Sequence, residues 1–96
     1  MATRVFIHGL ESTSRGTKGL YFRERFPDMI IEDFSGELAE RMAKLRARLA
    51  DRTELILVGS SYGGLMAAMY ACENEAAVRR LVLLAPAPDL EDFQPY

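Results

Sequence analysis

The stretch that most constrains this chain is Glu54-Leu55-Ile56-Leu57-Val58-Gly59-Ser60-Ser61-Tyr62-Gly63-Gly64-Leu65-Met66. Four consecutive apolar residues, Leu55 to Val58, read as a short buried strand, and the apolar run from Leu65 to Cys72 reads as a helix. Between them Gly59-Ser60-Ser61-Tyr62-Gly63 matches G-x-S-x-G, with Ser61 at its centre. On a strand–turn–helix frame this pattern is a nucleophile elbow, a serine held on a sharp turn with its hydroxyl pushed out of the sheet. Glycines are needed because flanking Cβ atoms would collide where strand and helix approach, and because the nucleophile's backbone is strained. A helix that begins at the nucleophile also offers its free N–H groups and positive dipole end to a developing oxyanion. The plainer alternative is a glycine-rich turn that only packs a helix closely onto a strand.

Composition narrows the setting. With 96 residues, 49% hydrophobic and 27% charged, the chain suits one small core, and residues 1–96 are expected to form a single domain. A formal net charge of -2 gives no electrostatic reason to expect nucleic acid or an anionic membrane as partner. The longest apolar runs, Leu55–Val58 and Leu81–Ala85, fall far short of the roughly 20 residues of a membrane span. Met1-Ala2-Thr3-Arg4 leads straight into a strand and leaves no room for a signal peptide, so the cytoplasm is the expected compartment. Cys72 is the one cysteine, which rules out a disulfide framework and a cysteine metal site. No metal and no organic cofactor is implied.

The rest of the chain alternates strand and helix. Arg4 to His8 is a compact apolar strand of the kind buried on both faces, and a polar loop with three glycines runs from Gly9 to Gly19. Leu20 to Phe26 reads as a short helix stopped by Pro27, and Met29 to Asp33 as a second strand. Ser35 is the expected N-cap of a helix from Glu37 to Ala50. In that helix Leu38, Met42, Leu45 and Leu49 form one apolar stripe. Glu37–Arg41 and Glu40–Lys44 have favourable i,i+4 spacing, which predicts a solvated charged face. After the elbow, Val78 to Leu84 reads as a fourth strand, closed by Ala85-Pro86-Ala87-Pro88. This βαβαβαβ order predicts a three-layer, doubly wound parallel sheet of about four strands in the order 2-1-3-4. Strands 1 and 3 are then neighbours whose connections leave toward opposite faces. The crevice beyond their C-terminal ends is where such sheets bind ligands. The loops that meet there are His8-Gly9-Leu10 and the elbow, so two independent motifs fall on one site. Because β-sheet edges invite pairing, a fourth strand left at the edge also predicts self-association there.

His8-Gly9 after a first apolar strand, followed by Gly59-Ser60-Ser61-Tyr62-Gly63-Gly64, resembles the α/β-hydrolase superfamily. The run from His8 to Lys18 resembles more narrowly its small bacterial esterases of the YqiA type, and the similarity extends from Val5 to about Pro86. The resemblance implies a truncated α/β-hydrolase fold, since a complete domain of that kind is about twice as long. It also implies hydrolysis of a small-molecule ester or thioester, with Ser61 as nucleophile and the N–H groups of Leu10 and Tyr62 as oxyanion donors. His8, Gly9, Gly59, Ser60, Gly63 and Gly64 would support the elbow and its facing loop.

The chain departs from the family pattern Ser…Asp/Glu…His, because no histidine follows Ser61. His8 as base, or Asp89 after strand 4 as acid, are the substitutes the sequence offers; a loop-shaping His8 and a solvated Asp89 are the plainer readings. Asp33 reads as a turn-forming carboxylate or a pocket residue. Arg15 and Lys18 read as surface charges or as a grip on an acidic substrate group, and Cys72 as a small packing residue. Two rival readings of the whole are a non-catalytic α/β module that binds a partner or small anion at the same crevice, and an inactive gene fragment.

Overall fold

The computed structural model describes residues 2–9 and 13–86, and of 85 and 86 the backbone alone. Seven elements follow in order: β1 (Thr3–Ile7), α1 (Thr17–Arg25), β2 (Ile30–Ile31), α2 (Leu38–Leu49), β3 (Leu55–Ser61), α3 (Tyr62–Glu73) and β4 (Val78–Pro86). The four strands form one parallel sheet in the order β2-β1-β3-β4, as the alternating pattern predicts. In the central pair Val5 faces Leu57 and Ile7 faces Gly59, so the end of β1 and the elbow glycine lie side by side.

Side chains alternate across the sheet and divide the core in two. On one face Val5, Ile7, Leu55 and Leu57 pack with Met42, Leu45 and Leu49 of α2 and with Met66, Ala67 and Tyr70 of α3. On the other, Phe6, Ile31 and Val58 meet Phe22 of α1 together with Met29, Ile56, Val82 and Leu84. One helix on one face and two on the other is the three-layer arrangement expected of a doubly wound sheet. Among the described residues no strand pairs with the outer edge of β4, and Leu81 and Leu83 are exposed there. No helix among the described residues is long and apolar enough to cross a membrane.

Several local expectations are corrected. Helix α1 begins at Thr17 rather than Leu20, because extended Gly16 caps it and accepts from the Leu20 N–H. Strand β2 shrinks to Ile30–Ile31; beyond it the Phe34 N–H turns to the His8 ring instead of a neighbouring strand. The cap of α2 is Glu37, not Ser35. Glu37 and Glu40 exchange side-chain-to-backbone bonds in a capping box, and Gly36, at φ +87°, turns the chain into it. With both carboxylates so engaged, neither expected i,i+4 pair forms. Arg41 turns inward to the Gly36 carbonyl, and Lys44 reaches the Asp33 carbonyl and Glu32. Cys72 is exposed, not packed. Strand β4 runs on past Leu84 to Pro86.

The tightest packing is where α3 leaves β3. A Cβ on Gly63 would lie 2.0 Å from the Ile7 carbonyl oxygen, and one on Gly59 would lie 2.4 Å from the Gly63 carbonyl oxygen. These neighbours are backbone and cannot swing aside. Gly64 differs: its Cβ would meet nothing nearer than a Leu83 methyl at 3.4 Å, an ordinary contact. Gly63→Ala is therefore expected to cost about 3 kcal/mol or more, whereas Gly64→Ala stabilises the chain by up to about 1 kcal/mol through helix propensity. Denaturant midpoints of the two variants against the parent chain check both.

Candidate active site

Ser61 is the last residue of β3 and the N-cap of α3, with φ 56° and ψ -120°. A positive φ on a residue with a Cβ costs on the order of 1–3 kcal/mol and persists only where the surroundings enforce it. Here the enforcing contacts are the Gly59 and Gly63 approaches, which leave the chain one way to turn from sheet to helix. Ser60 is buried and Ser61 only partly so. A Cβ on Gly9 would stand 3.1 Å from the Ser61 Cβ and 3.7 Å from its Oγ. The loop after β1 therefore faces the serine hydroxyl with bare backbone. Tyr62 opens α3, and the first N–H groups of a helix have no intrahelical acceptor. Leu10, expected as the second oxyanion donor, lies outside the described residues, as does Asp89.

His8 is 1% exposed, and both of its ring nitrogens are in use. The Phe34 N–H donates to Nε2 at 2.8 Å, and Nδ1 lies 2.7 Å from the Gly9 carbonyl oxygen. An amide N–H can only donate, so Nε2 carries a lone pair and the proton sits on Nδ1, which donates to Gly9. A ring held this way has no free nitrogen for the serine proton. His8 thus ties the Gly9 carbonyl to the Phe34 amide, across the segments after β1 and β2.

Asp33 holds the same loop from further along. Its Oδ1 accepts from the Ser14 N–H at 2.7 Å, tying the segment after β2 to the segment after β1. The Ser14 N–H, then the Ser14 hydroxyl, and more weakly the Lys44 charge, lower the carboxyl pKa below the usual aspartate value. Arg15 and Lys18 are exposed. Near the elbow, the residue that sequence reasoning placed wrongly is Arg41. It is 5% exposed, its Nε donates to the Gly36 carbonyl at 2.8 Å, and its guanidinium lies 5.5 Å from the centre of the Tyr62 ring. Only the capping-box spacing Glu37–Glu40 hinted that Glu37 was unavailable to it.

The lowered Asp33 pKa has a definite sign. The carboxylate stabilises the fold above the unfolded carboxyl pKa of about 3.9, and that contribution is lost as pH falls through the lowered native value. Asp33→Asn should therefore be less stable than the parent at neutral pH, with the gap closing under acid conditions. Urea midpoints between pH 7 and pH 2 measure it.

Comparison with known proteins gives three findings. The family model described as alpha/beta hydrolase fold matches residues 6–96. A crystal structure from Pectobacterium atrosepticum, of a protein named as a YdeN-like hydrolase, superposes with a TM-score of 0.74 at 24% identity. That match covers 98% of this chain and 53% of the other, so the chain spans about half the length of that protein. Comparison with curated proteins finds no match. With the strand order, the elbow and the facing loop in place, the chain belongs to the α/β-hydrolase family.

Proposed function

We propose that this chain carries the nucleophile of a serine hydrolase that cleaves carboxylic esters or thioesters through an acyl-Ser61 intermediate. The observation that supports this reading best is the Ser61 backbone, held at positive φ at the head of α3 with its hydroxyl beside Gly9. In this mechanism the Ser61 oxygen attacks the substrate carbonyl carbon and gives up its proton. The tetrahedral oxyanion accepts from the Tyr62 N–H and, as the family resemblance implies, from the Leu10 N–H. The carbon–oxygen or carbon–sulfur bond then breaks, and the alcohol or thiol leaves with a proton. Water repeats the attack on the acyl-serine, releasing the acid and restoring Ser61.

Proton transfer needs a base that these residues do not supply, because the one histidine of the 96 residues has both nitrogens bonded. In the family order Ser…Asp/Glu…His the base is a histidine that follows the serine, and no histidine follows Ser61 here. Without it, only the smaller contribution of oxyanion stabilisation and binding remains, about 10³–10⁴-fold over water. The bonded histidine equally favours a second reading, a non-catalytic module that binds a small molecule or partner at the same crevice.

A fluorophosphonate probe with p-nitrophenyl acetate separates the two. The nucleophile reading expects slow, stoichiometric labelling of the folded chain, no label on Ser61→Ala, and no sustained ester turnover. A folded chain that takes no label, or a Ser61→Ala variant labelled equally, overturns it.

A further inference from the structure

Arg41 presents an energetic problem that the proposed hydrolase mechanism leaves unsolved. A guanidinium keeps its charge throughout the working pH range, and burying such a charge is strongly unfavourable unless it is paired and hydrogen-bonded. Here Nε is satisfied by the Gly36 carbonyl, but Nη1 is fully buried and has no acceptor. Among the described residues no carboxylate pairs with it either. Glu37, the residue one turn before it, and Glu40 are both committed to the capping box. Asp33 is bonded to Ser14, and Glu32 to Arg48 and Lys44. Among the described residues, the other group over the guanidinium is the Tyr62 ring, which supplies π-electron density but no hydrogen-bond acceptor.

Location turns this problem into a function. Tyr62 directly follows the nucleophile and is only partly buried, and Gly36 lies on the loop after β2 beside the loop that His8 and Asp33 hold. The guanidinium, with Nη1 unsatisfied, therefore lies over the ring of the residue that follows Ser61. A planar carboxylate is the group whose geometry and charge such a fork accepts.

We propose that Arg41 is a carboxylate-binding residue of this site, so that the preferred esters or thioesters carry a second, free carboxylate at a short distance from the scissile bond. The assignment rests on the hydrolase reading for what the carboxylate is attached to, but not for the binding itself. Monomethyl succinate, which has one ester and one carboxylate, should bind about tenfold or more tightly than neutral dimethyl succinate, the fold-change expected of one charged hydrogen bond. Arg41→Met should bring that ratio close to one.

The experiment is isothermal titration of both ligands at fixed ionic strength into the Ser61→Ala chain, with and without Arg41→Met. Fluorophosphonate labelling of Ser61 in the parent chain runs in parallel. Arg41→Lys guards against misfolding of the methionine variant, since it keeps the charge without the fork and should retain a weakened preference. Equal binding of the two ligands overturns the proposal, as does a preference that survives Arg41→Met. Binding of acetate as tight as that of monomethyl succinate overturns the assignment to substrate, leaving a site for any free carboxylate. A carboxylate preference without Ser61 labelling means that the hydrolase reading has failed while Arg41 still binds. Labelling without a preference means the reverse.

Discussion

The structure depends on one close approach, backbone against backbone, where α3 leaves β3. The Gly63 Cα faces the Ile7 and His8 carbonyls, and Gly59 faces the Gly63 carbonyl, at distances that admit no side chain. This contact does three things together. It sets α3 onto the centre of the sheet, it forces Ser61 into a conformation that an unconstrained serine avoids, and it brings the end of β1 beside the nucleophile. The strain at Ser61 is offset by the apolar burial of α3, whose Met66, Ala67 and Tyr70 belong to the larger core. Core packing and site geometry are therefore one constraint here, expressed at two scales.

Around that contact, polar groups tie the loops to one another. His8 and Asp33 stand after adjacent strands, and each reaches across to the other's segment, His8 to the Phe34 amide and Asp33 to the Ser14 amide. The crossed bonds tie the two segments together through backbone amides. The same reciprocity appears at the start of α2. The capping box satisfies the helix end with Glu37 and Glu40, and in doing so it removes from Arg41 the Glu37 carboxylate that spacing alone assigns to it.

The strand order, the parallel sense and the elbow were legible because each follows from short-range pattern: apolar runs, glycine spacing and the strict alternation of strand and helix. The core stripe Met42, Leu45 and Leu49 was legible for the same reason. What escaped was decided by competition between partners. Both Ser35 and Glu37 can cap a helix, and the choice turned on Gly36 and on Glu40 reaching back. Arg41 has the spacing of a surface pair but the Gly36 carbonyl and Tyr62 ring within reach, and neither is visible from its own helix. Cys72 sits in an apolar run on a helix that is buried for most of its length, yet it falls on the turn that emerges from the core. The two bonds of His8 come from residues close in space and, for Phe34, distant in sequence.

Strand β1 is the first strand made and one of the two central strands of the sheet, flanked by β2 and β3. Its long side pairs with a strand that begins at Leu55, so Val5, Phe6 and Ile7 wait through most of the chain for their principal neighbour. By contrast β3, α3 and β4 are consecutive and pack on one another directly. The β3–α3–β4 unit is thus built from contacts local in sequence, and the β1–β3 pairing from distant ones. The elbow turn lies within that unit, but the Ile7 and His8 carbonyls that press on Gly63 come only with β1. The strained geometry of the serine therefore depends on a strand at the far end of the sequence as well as on its own strand and helix.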